Sequence, residues 1–219
     1  MTATAPQPPF RLTRATPADL PEIIALQYTA FPPVARELFM GCASEADLPR
    51  CTASYARVMQ TNEHDVWIKV VDTASGAVVA ASNWKIYPNG SAPPPSSAND
   101  EPPDWLEGEA RKRAARVLGA MNQARREAHP GGFVHLQICF TAAAYRRRGA
   151  GAMMIQWGCD LADQLFLPAW LEASSDGNYL YRRYGFEELG AVKGEVEEVY
   201  MRRVAKVSII EGGIRAVDG

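Results

Sequence analysis

Residues 133–165 read FVHLQICFTAAAYRRRGAGAMMIQWGCDLADQL. The run Phe133–Thr141, apolar with aromatic and β-branched residues, predicts a strand. Residues 149–165, rich in Met, Ile, Trp and Ala, predict a helix. Between them stand Arg146, Arg147, Arg148, Gly149, Ala150, Gly151 and Ala152. Glycine lets the backbone approach a ligand closely. The first amides of a helix have no intrahelical acceptor and point outward towards an anion. An arginine triplet alone would read as a solvated basic loop. Set directly before Gly-Ala-Gly-Ala and an apolar helix, it predicts a phosphate or pyrophosphate site. Two other phosphate motifs do not fit. A P-loop needs Gly-Lys-Ser/Thr, and Gly149 is followed by Ala-Gly-Ala. The dinucleotide fingerprint needs a third glycine and a strand ending immediately before it, neither of which is present.

Outward from this stretch, Phe10 to Thr13 predicts a short strand. Thr16-Pro17-Ala18-Asp19 opens a helix with a capping hydroxyl and an early proline. That helix runs towards Ala30 on a stripe that includes Leu20, Ile23 and Ile24, and Phe31-Pro32-Pro33 ends it. Further helical regions are expected over 33–40 and 45–60. Residues 66–71 and 77–84 form a hairpin about Ser75-Gly76. The polar, Pro-rich stretch 88–104 is expected as a long surface loop beside the acceptor site. Residues 109–128 predict a helix with Ala114, Val117, Leu118 and Met121 on its apolar face. After the central stretch come a strand over 168–173, a short helix over 175–184 stopped by Gly185, and two strands over 186–189 and 196–204 about the turn Val192-Lys193-Gly194. Alternation along the strand 133–141 puts His135, Gln137 and Cys139 on one face and Leu136, Ile138 and Phe140 on the other. A hairpin, a βαβ unit and a second hairpin give an α/β class with a mixed, mostly antiparallel sheet flanked by helices. One domain is expected over 10–204, after a loose N-terminus 1–9 and before a tail 205–219 with an apolar run at 207–210.

Two signatures about thirty residues apart resemble the GCN5-related N-acetyltransferase superfamily. The first is Arg146-Arg147-Arg148-Gly149-Ala150-Gly151, matching its Arg/Gln-x-x-Gly-x-Gly/Ala motif after a strand ending in Cys139-Phe140-Thr141. The second is Leu180-Tyr181-Arg182-Arg183-Tyr184-Gly185-Phe186, matching LYxxxGF. Residues 10–30 are also similar to the family's opening strand and helix, so the resemblance covers roughly 10–204. The block LEASSDGNYLYRRYGF, and the WKIYP strand with its Pro-rich insertion, resemble fungal members. The resemblance implies the acyl-CoA N-acyltransferase-like fold and acetyl-CoA as acyl donor. It implies that Phe140 and Thr141 contact the acyl and pantetheine portion, and that Arg146, Arg147, Arg148, Gly149, Ala150, Gly151 and Ala152 hold the pyrophosphate. Tyr181 takes the place of the family's thiol-protonating tyrosine, or else packs beside Tyr184 and Phe186. His135 takes the place of the family's base near the start of the pre-motif strand, or else is a half-buried polar residue. Glu172 is the next candidate, as base, orienting carboxylate or capping partner, and a water chain is a further route for the proton. The implied reaction is direct attack of a primary amine on the thioester. O-acylation and a non-catalytic acyl-CoA sensor stay open.

With 25 acidic and 23 basic residues in 219, the net charge is −2. That gives no support to a nucleic-acid or anionic-membrane partner. No basic leader with an apolar core and no membrane-length apolar run is present, which fits a cytoplasmic enzyme. Cys42, Cys51, Cys139 and Cys159 form no CxxC pair and no Cys/His cluster, so free thiols and no metal are expected. His64 and His129 read as surface residues. The expected partners are acyl-CoA and a small-molecule or peptide amine, in a monomer or homodimer. Residues 31–60 and 85–110 are expected to line the acceptor side.

Overall fold

The computed structural model describes residues 8–88, 101–129, 131–192 and 196–206. Most of the Pro-rich stretch, the N-terminal seven residues, the turn at 193–195 and the run 207–210 lie outside the described residues. Seven strands form one sheet: β1 (Phe10–Arg14), β2 (Asp65–Asp72), β3 (Val78–Tyr87), β4 (Phe133–Thr141), β5 (Ala169–Ala173), β6 (Glu187–Val192) and β7 (Glu198–Arg203). Their order is β1-β2-β3-β4-β5-β7-β6. Every neighbouring pair is antiparallel except β4–β5, which is parallel. A parallel pair cannot be joined by a tight turn. Here the crossover is α5 (Ala150–Gln164), the helix expected from the central stretch.

The remaining helices are α1 (Leu20–Ala30), α2 (Pro33–Ala35), α3 (Leu48–Thr61), α4 (Gly108–Ala128) and α6 (Asn178–Arg183). The element order is the one expected from sequence, with boundaries moved by a few residues. The region 33–40 is not one regular helix. After α2, residues Arg36–Met40 form a π-helical turn closed by Gly41 at φ 64°. The Trp105 indole donates to the Gly41 carbonyl at 2.8 Å, tying the segment before α4 to this turn. The expected helix 175–184 begins only at Asn178, because the amides of Gly177 and Asn178 both turn back to the Ser174 carbonyl.

Two apolar layers sandwich the sheet. α5 packs Met154, Ile155, Cys159 and Ala162 on one face, against Ile68, Val70, Trp84, Val134 and Leu136. α1 and α3 pack Ile23, Ile24, Cys51 and Tyr55 on the other, against Trp67, Val71, Ile138 and Phe140. A smaller cluster joins α4 to the π turn and the start of β7 through Leu38, Val117, Met121 and Val196. Leu136 and Ile138 therefore belong to opposite faces, which corrects the simple alternation expected of β4. The cause is a β-bulge: Trp84 pairs with Leu136 and Asn83 with Ile138, leaving Gln137 as the extra residue. One inserted residue re-aims every side chain after it. A second correction concerns His129. It is 5% exposed, stacked on the Phe133 ring at 4.9 Å and edge-on to Trp170, because it closes the end of α4 over the sheet. Burial, then the charges of Arg202 and His135, lower its pKa to about 4.

Helix and sheet meet tightly at Gly158 on α5, whose missing Cβ would fall inside the Trp84 indole. On an open helix, Gly→Ala stabilises by about 0.8–1 kcal/mol. Gly158→Ala should instead destabilise the fold by about 1–3 kcal/mol through overpacking. Urea unfolding reads this directly, and a variant as stable as the parent would show that Trp84 has room to move.

Candidate active site

β4 and β5 exchange partners only over Val134–Leu136 and Ala169–Leu171. β4 then continues to Thr141 beside β3, while β5 continues to Ala173 beside β7. The two strands splay, and a cleft of about 1020 Å³ passes between them. Side chains from both faces of the sheet line it.

On the α5 face, the cleft is walled by Cys139, Thr141, Arg146, Arg147, Gly149, Gly151 and Ala152. The loop enters α5 through two left-handed residues, Arg147 at φ 60° and Gly149 at φ 101°. Such a φ is uncommon outside glycine. Among the described residues, the backbone amides of Arg147 to Ala152 donate to no protein group. A Cβ at Gly149 would meet nothing within 4 Å, so this space belongs to the cleft. At Gly151 a Cβ would lie 3.3 Å from Leu180, so that glycine also serves the packing of α6. The three arginines separate. Arg146 donates Nε to the Thr141 carbonyl at 3.3 Å. Arg147 lines the cleft. Arg148 lies over the rings of Phe10 and Tyr145, at 5.2 and 5.0 Å, so its side chain points away from the amides. Ala150, the first residue of α5, is buried in the core.

Tyr181 faces the splay from α6. Gly177 makes room for it, since a Cβ there would sit 2.8 Å from the Tyr181 ring. Arg203 holds the end of α6 by donating Nε to the Tyr184 carbonyl at 3.0 Å and both terminal nitrogens to Asp163 at 2.7 Å. The Tyr181 hydroxyl lies against the Cys139 thiol. Burial, then Cys139 and Glu198, raise its pKa well above the ordinary phenol, so it carries its proton at neutral pH.

On the opposite face, His135 and Glu172 come together. His135 Nε2 lies 2.9 Å from Glu172 Oε2, and His135 Nδ1 lies 3.4 Å from Arg125 Nη1. Arg125 Nε and the Trp170 indole both donate to Glu172 Oε1, at 3.2 and 2.8 Å. With the carboxylate accepting from Nε2–H, Nδ1 is left to accept from Arg125, so both imidazole nitrogens are engaged. Burial pushes the Glu172 carboxyl up, but the Arg125 charge, the electrostatic pull of His135 and the bonds from His135 and Trp170 outweigh it and hold the pKa at about 2. Phe140 lies on this same face, edge-on to Phe31 at 6.1 Å.

Two residues of the cleft escaped the sequence reading. Arg125 had a signal: it continues the buried stripe Ala114, Val117, Leu118, Met121 on α4, where a charge demands a partner. Glu198 had none, because only the sheet order sets β7 beside β5. It lines the cleft, and burial followed by the charge of Glu172 raises its pKa to about 8. Among the described residues there is no cluster able to hold a metal ion and no helix long and apolar enough to cross a membrane.

No protein-family model matches the chain. The probable acyltransferase SID5 of Ajellomyces capsulatus is 31% identical over 98 residues, which span 43% of this chain and 67% of that protein. Arylalkylamine N-acetyltransferase 2 from Aedes aegypti shares the fold with a TM-score of 0.65 at 13% identity, covering 90% of this chain and 99% of that one. The PaiA N-acetyltransferase from Thermoplasma acidophilum, solved in complex with coenzyme A, does so with a TM-score of 0.51 at 10% identity, covering 89% and 98%.

The buried network makes a stability prediction. Glu172 has a folded pKa depressed from 4.5 to about 2, so its contribution is full above about 4.5 and is lost as pH falls towards 2. Glu172→Gln takes an ion-pair partner from buried Arg125 and should cost about 3 kcal/mol at neutral pH. The variant should also lose less stability than the parent between pH 4.5 and 2. Urea unfolding across pH tests both, and parallel acid limbs would show that Glu172 does not carry this charge.

Proposed function

The chain belongs to the GCN5-related N-acetyltransferase superfamily and is an acyl-CoA-dependent acyltransferase, and from that premise we propose that it transfers an acetyl group from acetyl-CoA to a primary amine by direct attack. The observation that carries this reading is the β4–β5 splay, which opens the cleft to both faces of the sheet at once. Bound acetyl-CoA would supply the activated thioester carbonyl. The residues present fit it: the undonated amides of Arg147 to Ala152 suit a pyrophosphate, and the absent Cβ of Gly149 leaves it space. The Arg146 and Arg147 side chains add positive charge at the same wall, while Arg148 contributes through its backbone. Backbone groups of Phe140 and Thr141, released from strand pairing on the β5 side, would meet the acyl and pantetheine portion.

The acceptor amine enters in this reading from the α4 face, a small molecule or a peptide side chain. His135 and Glu172 were the sequence candidates for its base. Their bonds to each other and to Arg125 support a positioning role here, fixing the wall against which the amine is presented. Tyr181 is proposed to give its proton to the departing thiolate. Its raised pKa supports this, because the phenol must arrive protonated. The four unpaired thiols fit a reducing compartment such as the cytoplasm.

Acetyl-CoA assayed against a panel of primary amines, by release of free thiol, tests the reading. Tyr181→Phe keeps the ring that packs on Phe186 and removes only the hydroxyl. Turnover should fall about 10²–10⁴-fold with acetyl-CoA affinity nearly unchanged. Full turnover in the variant would remove Tyr181 from the mechanism.

A further inference from the structure

Glu172 pairs with Tyr200 across the β5–β7 ladder, and Ala173 with Val199. Glu198 therefore stands one residue past the last rung, diagonally across from Glu172. It shares a face with Tyr200, whose ring packs on Trp170 at 5.5 Å. This is the acceptor face, at the end of the ladder where β4 has already diverged. The two carboxylates have opposite surroundings. Glu172 takes hydrogen bonds from Arg125, Trp170 and His135. Glu198 lines the cleft and, among the described residues, takes no hydrogen bond and forms no ion pair.

The ionisable groups facing Glu198 are few. Glu172 approaches from β5, with Arg125 of α4 and His135 of β4 engaged behind it. Tyr181 faces it from α6 across the cleft, with Cys139 of β4 beyond, and Tyr200 follows it on β7. The cleft wall on the α4 side is apolar, with Phe39, Leu118 and Met121. A carboxylate beside a second carboxylate, with no cation of its own, is matched to a cationic guest.

We propose that Glu198 is the general base of the reaction, taking a proton from the ammonium group of the acceptor, an inference that rests on the acyltransferase reading above. In the step, an N–H bond of the ammonium breaks and a Glu198 O–H bond forms. The freed nitrogen lone pair bonds to the thioester carbon and the C–S bond breaks. Tyr181 passes its proton to the thiolate. The second proton, shed by nitrogen as the amide forms, balances the one Tyr181 gave up, and the Glu198 proton leaves to solvent. Tyr181 from α6 and Glu198 from β7 line the same cleft, so one can serve the departing sulfur and the other the arriving nitrogen. The burial and Glu172 charge that raise the Glu198 pKa to about 8 also place it near the working pH, where a base is effective.

The test uses acetyl-CoA with phenethylamine and with putrescine, for the parent and for Glu198→Gln. In the parent, kcat/KM should rise as pH passes about 8. In the variant it should fall about 10²–10⁴-fold, with acetyl-CoA affinity unchanged. The residual rate should then follow the amine's own pKa of about 10. A structural role would act oppositely on stability. The folded pKa is raised from 4.5 to about 8, so the parent loses stability as pH rises through that window, and Glu198→Gln should melt higher than the parent above about pH 8. Unchanged turnover, an unchanged pH limb, or a variant that melts lower would each overturn the proposal. If the parent acetylates neither amine, the failure falls on the acyltransferase reading with these acceptors. Glu198 is then judged by carbon NMR titration of its carboxyl in the parent, and an ordinary carboxylate pKa there overturns the proposal by itself.

Discussion

Beyond Leu136 and Leu171, β4 and β5 stop sharing hydrogen bonds, and the rest of the site follows from that separation. Backbone polar groups seldom stay unpaired in a protein interior. Here the unpaired edges border a cleft. The bulge at Gln137 turns Ile138 and Phe140 towards α1, so that the part of β4 beside the splay presents Cys139 and Thr141 to the α5 side. The parallel β4–β5 crossover sets the start of α5 at the mouth of the same opening. Strand divergence, bulge and helix start act as one device.

The carboxylates show how environment divides similar groups. Glu172 and Glu198 are both half-buried and lie on the same face of adjacent strands. One has Arg125, His135 and Trp170 and is held ionised, with a pKa of about 2. The other has its neighbour's negative charge and little else, and its pKa rises to about 8. The first fixes a wall. The second takes no hydrogen bond among the described residues. Groups whose surroundings push their pKa values apart are a recurring basis for acid–base chemistry.

Much of the fold was legible because local signals agreed with one another. The stripe on α4, the capping sequence before α1 and the strand–loop–helix at 133–165 each carried a period or a punctuation residue. The π turn at Arg36–Met40 was not legible, since it depends on Gly41 closing the turn beneath Trp105. The bulge in β4 was hidden because a continuous apolar strand reads the same with or without an extra residue. The loop 146–152 could be singled out from composition and order, whereas the turning of Arg148 onto Phe10 depends on a strand more than a hundred residues away. His135 and Glu172 were singled out separately, and their contact with Arg125 required the sheet. Glu198 lay in an acidic run that looks like solvated surface until β7 is placed beside β5.

The central claim is that the amides of Arg147 to Ala152, left undonated at the start of α5, receive the phosphates of the acyl donor. Hydrogen exchange of these amides, followed with and without coenzyme A, addresses it most directly. They should exchange fast in the free protein, lacking internal partners, and become protected on addition of coenzyme A. Binding of coenzyme A that protects other segments and leaves residues 147–152 exchanging as before would contradict the account.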